Sequence, residues 1–356
     1  MEELKKKSKT SVPFSSITKY EESLLEKIRQ KTKDMNLNNV TRTKAYLEFY
    51  LRYPDIHWAF LGHMVSRNGG WNMTDLKGEF LNRLLARKDR QLFFQFLERG
   101  NWLIFQDVYP QFLLYEESLR KKKPLFHLFA HLNISTFMGT IWNHYWQTND
   151  TYILTMALVI NEQNYLEKRV VQNPQYQKDV LNKFEFLLQD WLSFNHILFP
   201  YGNKMLVGLT VHQFESLHER ILLGKRLYQL LFKNKEIHQM SVEWTKSHPH
   251  TGSRKDYWPD IFNSVNEGTP GLPYHLHLES CQLRPGAKRI YSPTLENAWK
   301  NEIHKEAEQG DWFSDWRIVD YLMEDDEFID GEIKDEYCKT LERLELAALA
   351  KKAITF

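Results

Sequence analysis

Apolar side chains recur every three or four residues along most of this sequence, which is the spacing of an amphipathic α-helix. The first stripe consists of Tyr20, Leu24 and Ile28. Thr18 and Glu21 stand beside it with the spacing of a capping box, in which each side chain binds a backbone N–H at the start of a helix. The pattern therefore predicts a helix that begins next to Thr18.

Two further helices are predicted before residue 70. The first covers residues 41–53 and ends before a proline, and the second covers residues 54–67. Gly69–Gly70 follows the second stripe, and glycine readily adopts the left-handed conformation found at helix ends. Asn72 or Thr74 can then cap the next helix. We therefore expect a helix-turn-helix junction centred on the two glycines.

Longer helical patterns occupy the middle of the chain. We expect a helix over residues 89–119 with a break at Pro110, because proline lacks the N–H that a helix interior requires. The charge-poor residues 124–161 predict two buried core helices, and residues 175–198 and 212–247 predict further helices. The pattern as a whole favours a predominantly all-α fold, a multi-helix globular bundle.

The domain organisation follows from shifts in composition. Residues 1–15 are basic and predict a flexible N-terminus, and residues 16–247 predict a helical main domain. Residues 248–293 are rich in Pro, Gly and His and predict an irregular segment, able to hold a short strand, packed on the main domain. Residues 294–356 predict an acidic C-terminal helical region.

Composition narrows the class of protein. Hydrophobic residues make up 42% of the chain and aromatic residues 14%, which excludes a disordered chain. The two cysteines, Cys281 and Cys338, are too few to staple 356 residues, and no signal peptide opens the sequence. His, Asn and Gln interrupt the least charged stretch, so we expect no membrane span and a cytoplasmic location.

Charge is unevenly distributed although the formal net charge is only +1. Residues 302–345 contain many more acidic than basic side chains, and the rest of the chain is correspondingly basic. Runs of like charge usually lie on solvent-exposed faces, which is the simplest explanation of the acidic residues. The alternative is a weak nucleic-acid-binding protein whose acidic tail is autoinhibitory.

The expected junction collects several polar side chains in one turn: Arg67, Asn68, Trp71, Asn72 and Asp75. Free N–H groups at the start of the second helix, beside the arginine, would suit a small anionic ligand, with the tryptophan as a stacking surface. The alternative is that the glycines only end a helix and that the tryptophan anchors the core.

A smaller basic and aromatic group surrounds Arg254. It follows Ser253 and precedes Lys255, Tyr257 and Trp258, a composition that could contact phosphates or stacked bases. We therefore include Arg254 among the candidate ligand-binding residues. The alternative is an ordinary surface turn.

A first candidate metal site lies in the His-rich segment. On a strand, His275, His277 and Glu279 would face the same side, and two histidines at this spacing can share one zinc or other divalent ion. A third ligand would have to come from elsewhere, with His248 or His250 nearest along the chain. The alternative is a polar strand face satisfied by hydrogen bonds.

A second candidate metal site lies at the start of a predicted helix. His212, Glu215 and His218 follow one another at spacings of three, and the last two form the Glu-x-x-His unit of di-metal carboxylate bundles. Such bundles need two of these units, and the sequence has one. The alternative is an exposed polar helix face.

Three functional hypotheses remain after the common enzyme motifs are excluded. The sequence has no Walker loop, dinucleotide-binding glycine motif or nucleophile elbow. The leading hypothesis is a binding or scaffolding protein, with a polar pocket near residues 67–75 for a protein or a small anionic ligand. The second is a metal-dependent hydrolase with Glu279 or Glu215 as base. The third is the weak nucleic-acid-binding protein.

Three stretches together resemble the YppC-like family of uncharacterised bacterial proteins. They are NVTRTKAYLEFYLRYPDIHWAFLGHMVSRNGGWNMTDLKG from Asn39, HTGSRKDYWPDIF from His250 and YHLHLESCQLRPG from Tyr274. The resemblance covers most of the chain and is most distinctive around Trp71. It implies a bacterial cytosolic setting and assigns no catalytic residue to this sequence.

Overall fold

The fold is predominantly all-α, as the sequence predicts. The computed structural model describes residues 17–181, 196–202, 205–211, 213–268, 275–323, 329 and 331–354, and it is 65% helical. Within these residues, the helices longer than seven residues are α1 Lys19–Met35, α2 Asn39–Arg52, α3 His57–Asp75, α4 Arg87–Lys121, α5 Thr136–Thr148, α6 Thr151–Leu166, α7 Leu217–Phe232, α8 Lys235–Ser247 and α9 Lys334–Ile354. The predicted flexible N-terminus, 1–15, lies outside the described residues.

Short helical turns connect the long helices. Among the described residues, the α-helical turns are Leu81–Leu84, Pro174–Tyr176 and Leu295–Ala298. The 3₁₀-helical turns are Phe126–Leu132, Arg254–Asp256 and Trp316–Leu322. The turns with π-helical hydrogen bonding are Glu167–Val171 and Gln177–Leu181. The capping box predicted from Thr18 and Glu21 is confirmed at the start of α1. Asn38 caps α2 in the same way, through Thr41.

The strands are few and short. They are β1 His196–Tyr201, β2 Met205–Thr210, β3 Phe262–Asn263, β4 Leu278–Glu279, β5 Gln282–Leu283 and β6 Ile290–Tyr291. β1 and β2 form an antiparallel pair in which Leu198 faces Gly208, β4 pairs with β5 in the same sense, and β3 and β6 are parallel. Four of these short strands, β3 to β6, lie in the described residues of the predicted irregular segment, 248–293.

Two of the predicted helices are wrong in extent. Leu198 lies in β1, so the helix predicted over 175–198 does not reach its predicted end, and residues 182–195 lie outside the described part. The pattern over 212–247 contains two helices, since α7 ends at Phe232 and the side chain of Asn234 caps α8. Hydrophobic spacing continues from one helix to the next and therefore did not reveal the boundary.

Pro110 does not break its helix, contrary to expectation. α4 runs for 35 residues through this position. Proline inside a helix costs about 3 kcal/mol, because it removes a hydrogen bond and crowds the preceding turn. Phe105, Val108 and Phe112 are all fully buried around it, and their packing holds both halves of the helix in line. Tertiary contacts here outweigh the local preference of the backbone.

Gly69 and Gly70 do not end a helix either. α3 continues past both glycines to Asp75, so the predicted turn and the second helix start do not exist. Gly70 instead permits close packing, because a Cβ added at this position would lie only 2.5 Å from Nε2 of His250. The same histidine nitrogen lies 2.8 Å from Oδ1 of Asn39. The glycine therefore serves the approach of a neighbouring segment.

Replacing Gly70 with alanine should destabilise the protein by about 1–3 kcal/mol, the usual cost of overfilling a packed interior. The matched control is Gly139→Ala in α5, where an added Cβ meets no described atom within 4 Å. We expect that control to stabilise the protein by up to about 1 kcal/mol, because alanine favours helix more than glycine. Urea denaturation measures both. Equal effects of the two substitutions would contradict the packing explanation.

Two hydrophobic cores lie along the molecule. The first contains Trp58, Phe60, Phe112 and Trp142, and the second contains Trp71, Phe93, Trp102, Phe262 and Tyr337. α3 and α4 contribute to both cores. Helix α9 and the strands of the irregular segment contribute to the second.

A disulfide joins the irregular segment to α9. It links Cys281 to Cys338, whose Cα atoms are 5.4 Å apart and which are separated by 57 positions along the chain. The sequence pattern did not predict this pairing. In the part of the chain that the structure describes, no helix combines the length and apolar character needed to cross a membrane.

Candidate functional site

A central cavity separates four of the long helices. Its volume is about 280 Å³, and α3, α4, α6 and α7 provide most of its wall. Apolar side chains dominate the surface, among them Leu61, Val65, Ile104, Val159, Leu223 and Leu227. These residues recur every three or four positions on their helices, which places them on one face of each. The cavity is therefore formed by the inward faces of the bundle.

Glu162 on α6 is the principal titratable group of this wall. Glu162 is partly exposed, and it lines the cavity. Oε1 accepts a hydrogen bond of 2.8 Å from Nε2 of Gln163. Burial raises the pKa of Glu162 to about 7, although hydrogen bonds from Gln163 and Trp58 act in the opposite direction. The carboxyl therefore changes charge near neutral pH.

Two arginines also line the cavity, and both are paired. Nη2 of Arg42 on α2 lies 2.5 Å from Oε2 of Glu98, and the Arg42 side chain is almost completely buried. Arg220 on α7 forms an ion pair with Glu167, and its Nε donates a hydrogen bond of 2.9 Å to Oε1 of Gln163. Each guanidinium charge is thus compensated by a carboxylate of the protein.

Two of the predicted ligand-binding residues, Asn68 and Asn72, also line this cavity. Asn68 is satisfied by the backbone of Leu198 in β1, donating from Nδ2 at 3.0 Å and accepting at Oδ1 at 2.9 Å. Among the described residues, Oδ1 of Asn72 is buried and has no hydrogen-bond partner. Asn72 therefore contributes to the wall of the cavity, and its amide oxygen is a buried acceptor left unsatisfied by the described residues.

Arg67 and Trp71 lie on another face of α3, away from the cavity. Arg67 is completely buried, with its guanidinium 4.6 Å from the ring centre of Trp244 and 5.5 Å from that of Tyr257. Its Nη1 donates a hydrogen bond of 2.8 Å to the carbonyl oxygen of His248. Such stacking on aromatic rings stabilises a buried cation. The arginine joins α3 to α8 and the segment after it.

Asp75 and Arg254 form a buried ion pair beneath Trp71. Nε and Nη2 of Arg254 lie 2.6 and 2.5 Å from Oδ2 of Asp75, and Nη1 bonds the Tyr337 hydroxyl. The guanidinium carbon lies 3.9 Å from the centre of a Trp71 ring. Burial raises the pKa of Asp75, while the neighbouring Arg254 charge lowers it. The prediction that Arg254 belongs to a surface turn is wrong, because this partner on α3 holds it inside the second core.

The predicted anion-binding site therefore lacks the helix N-terminus on which it was based. α3 has no N-terminus near Asn72, and Trp71 is a core residue, as the alternative interpretation held. The predicted set Arg67, Asn68, Trp71, Asn72, Asp75 and Arg254 divides between two places. Asn68 and Asn72 lie on the cavity, and the other four lie in buried contacts that join α3 to residues after 243.

The first predicted metal-ligand group is spread out in the structure. His275 and Glu279 are exposed, whereas Nδ1 of His277 lies 2.7 Å from Oε1 of the buried Glu345 on α9. His250 was considered as a further ligand, but its Nε2 lies 2.8 Å from Oδ1 of Asn39 on α2. Only Leu278 and Glu279 of the expected strand are in β4.

The second predicted metal-ligand group is only partly described. His212 lies outside the described residues, and Glu215 precedes α7. Nδ1 of His218 lies 2.7 Å from the Tyr321 hydroxyl. Over the positions that can be described, no three His, Cys, Asp or Glu side chains are grouped as a metal site would require.

Glu162 was missed by the sequence analysis, although a local signal exists. The residues three and four positions away on either side are Val159, Leu158, Tyr165 and Leu166. On a helix these surround the glutamate with apolar side chains. A lone carboxylate in such a setting is either paired or has a shifted pKa. The spacing could therefore have identified Glu162 as a buried acid, but not the cavity that it faces.

Comparisons with known proteins place this chain in a family. The family described as "Protein of unknown function (DUF2515)" matches residues 34–337. One relative, "Uncharacterized protein YppC" of Bacillus subtilis (strain 168), is 46% identical over 233 residues, which are 65% of this chain and 72% of that protein. No solved structure matches significantly. The resemblance inferred from the three sequence stretches is thereby confirmed, and the chain belongs to the DUF2515 family of proteins of unknown function.

Proposed function

We propose that this protein binds a small ligand with a largely apolar body in the central cavity. The observation that carries the proposal is the cavity itself: about 280 Å³ of space between four helices, walled by apolar side chains and a few polar groups. Small-molecule sites commonly have this character. The carboxyl of Glu162 would orient the ligand.

The size of the cavity supports occupation by a ligand. Protein interiors are packed with few voids larger than a water molecule. Space that no protein atom fills leaves the side chains around it without contacts on one side. A ligand that fills it restores the lost contacts. Apolar cavities of about 150 Å³ already bind molecules such as benzene.

Gly100 contributes to the open space of the cavity. It lines the cavity in the interior of α4, and an added Cβ would meet no atom of the described chain within 4 Å. Glycine lowers helix stability by about 1 kcal/mol relative to alanine. Gly100 therefore leaves open volume at the wall of the cavity, which a larger side chain would fill.

The test is to fill the cavity from this position. We expect the unaltered protein to bind 2-phenylethanol or indole in calorimetric titrations, and Gly100→Leu to weaken that binding by at least about tenfold, since the new side chain occupies the site. The matched control is Gly139→Leu, which also projects into open space but lies outside the cavity wall. The proposal fails if neither compound binds, or if Gly100→Leu and Gly139→Leu bind them equally well.

The same proposal includes a cytoplasmic location. It is supported by the presence of only two cysteines in 356 residues. Disulfides are rare in the cytosol, so Cys281 and Cys338 would be mostly reduced there. Fractionation of cells that express the full chain tests the location, and recovery from a secreted or surface fraction would contradict it.

A further inference from the structure

Glu162 differs from the other charged groups of the central cavity. Arg42 is paired with Glu98, and Arg220 with Glu167. Within the described ranges, no Lys, Arg or His side chain forms an ion pair with Glu162, whose contacts are neutral hydrogen bonds from Gln163 and Trp58. The cavity therefore contains one carboxyl group whose charge the protein does not compensate.

The surroundings of this carboxyl suit a cation on an apolar body. Aromatic rings of Tyr46, Trp58, Phe96 and Phe214 line the same cavity. The faces of such rings attract ammonium groups, most strongly where water is excluded. Apolar helix faces form the rest of the wall. A small organic amine thus meets a counter-charge, aromatic side chains and an apolar space in a single site.

We propose that the ligand of the central cavity carries a basic amino group on an apolar body, and that Glu162 binds this group as an ammonium–carboxylate pair. This inference rests on the proposed function and names the class of its ligand. An anionic carboxylate without a partner is costly inside a protein, whereas one that is paired and hydrogen-bonded is tolerated. The ligand supplies the missing charge, and Gln163 and Trp58 hold the carboxylate in place.

Other titratable groups near the carboxyl do not provide an alternative partner. From α2, Tyr46 has a pKa raised well above its usual value by burial, so it remains neutral, and Arg42 is held by Glu98 on α4. From α7, Arg220 is held by Glu167. The groups that α3 presents to the cavity do not titrate near neutral pH: an indole, apolar side chains, a hydroxyl and amides.

The experiment compares two probes of the same shape, phenethylamine and 2-phenylethanol, in calorimetric titrations of the full chain. We expect the amine to bind the unaltered protein more tightly at pH 8, and Glu162→Gln to weaken amine binding by at least about tenfold while changing alcohol binding only slightly. Glutamine keeps the shape of the side chain and removes its charge. Gly100→Leu should weaken the binding of both probes.

A second measurement needs no variant. Amine binding should strengthen about tenfold from pH 6 to pH 8, because Glu162 ionises across this range while an aliphatic ammonium remains protonated. Alcohol binding should show no such increase. If the alcohol binds in the cavity and the amine has no advantage, or if Glu162→Gln binds the amine unchanged, this inference fails and the proposed function survives. If neither probe binds, both fail.

Discussion

Replacing Arg254 with methionine should lower the free energy of unfolding by about 3–5 kcal/mol, as expected when one partner of a buried ion pair is removed. The substitution keeps the apolar stem but leaves the Asp75 carboxylate without its counter-charge beneath Trp71. Urea denaturation at pH 7 measures the loss. The deficit should shrink as the pH falls below 7, because burial raises the pKa of Asp75 and the unpaired carboxyl takes up a proton, so that it is no longer buried as a charge.

Two control variants distinguish the loss of the ion pair from the loss of packing around Arg254. Arg317→Met removes an arginine whose pairing with Asp315 is exposed to solvent, and it should change stability by less than about 1 kcal/mol. Adding Asp75→Asn to Arg254→Met removes the uncompensated charge, so the double variant should regain a large part of the lost stability. If Arg254→Met is no more harmful than Arg317→Met, the assignment of a buried pair is wrong.

Reducing the Cys281–Cys338 disulfide should lower the free energy of unfolding by about 2–4 kcal/mol, the typical contribution of such a cross-link. The bond closes a loop of 57 positions and ties β4 and β5 to α9. Its removal lets the unfolded chain explore many more conformations, which is the main source of the effect in the chain-entropy description. Urea denaturation of oxidised protein, with and without dithiothreitol, measures the difference.

The control for reduction is the double variant Cys281→Ala, Cys338→Ala. It should have the stability of the reduced protein and should not respond to dithiothreitol. Thiol titration of the oxidised protein in denaturant should detect no free thiol before reduction and two afterwards. Two free thiols in protein purified under oxidising conditions would contradict the pairing.

Local sequence signals predicted the features that depend only on neighbouring residues. The capping box of Thr18 and Glu21 was correct because both partners lie within one helical turn. Pro110 and the glycine pair at 69–70 were misinterpreted as helix breaks because contacts from elsewhere in the fold overcome local preference there. Backbone propensity is a weak guide wherever a segment is buried on several sides.

The candidate site could be anticipated only in part for the same reason. Asn68 and Asn72 were singled out as polar groups in a turn, and they reach the cavity from a continuous helix. Arg254 bonds Asp75 across 179 positions of sequence, a separation over which spacing has no predictive value. The cavity arises from four helix faces together, so no single segment contains its signature.

The course of α3 and α4 has a consequence for how the molecule unfolds. Each helix passes without interruption from the first core to the second, with Trp58 and Trp71 on α3, and Phe93 and Phe112 on α4, in different cores. If either helix unfolded within one core, it would lose backbone hydrogen bonds next to the part that packs in the other core. The two cores should therefore melt together as one cooperative unit.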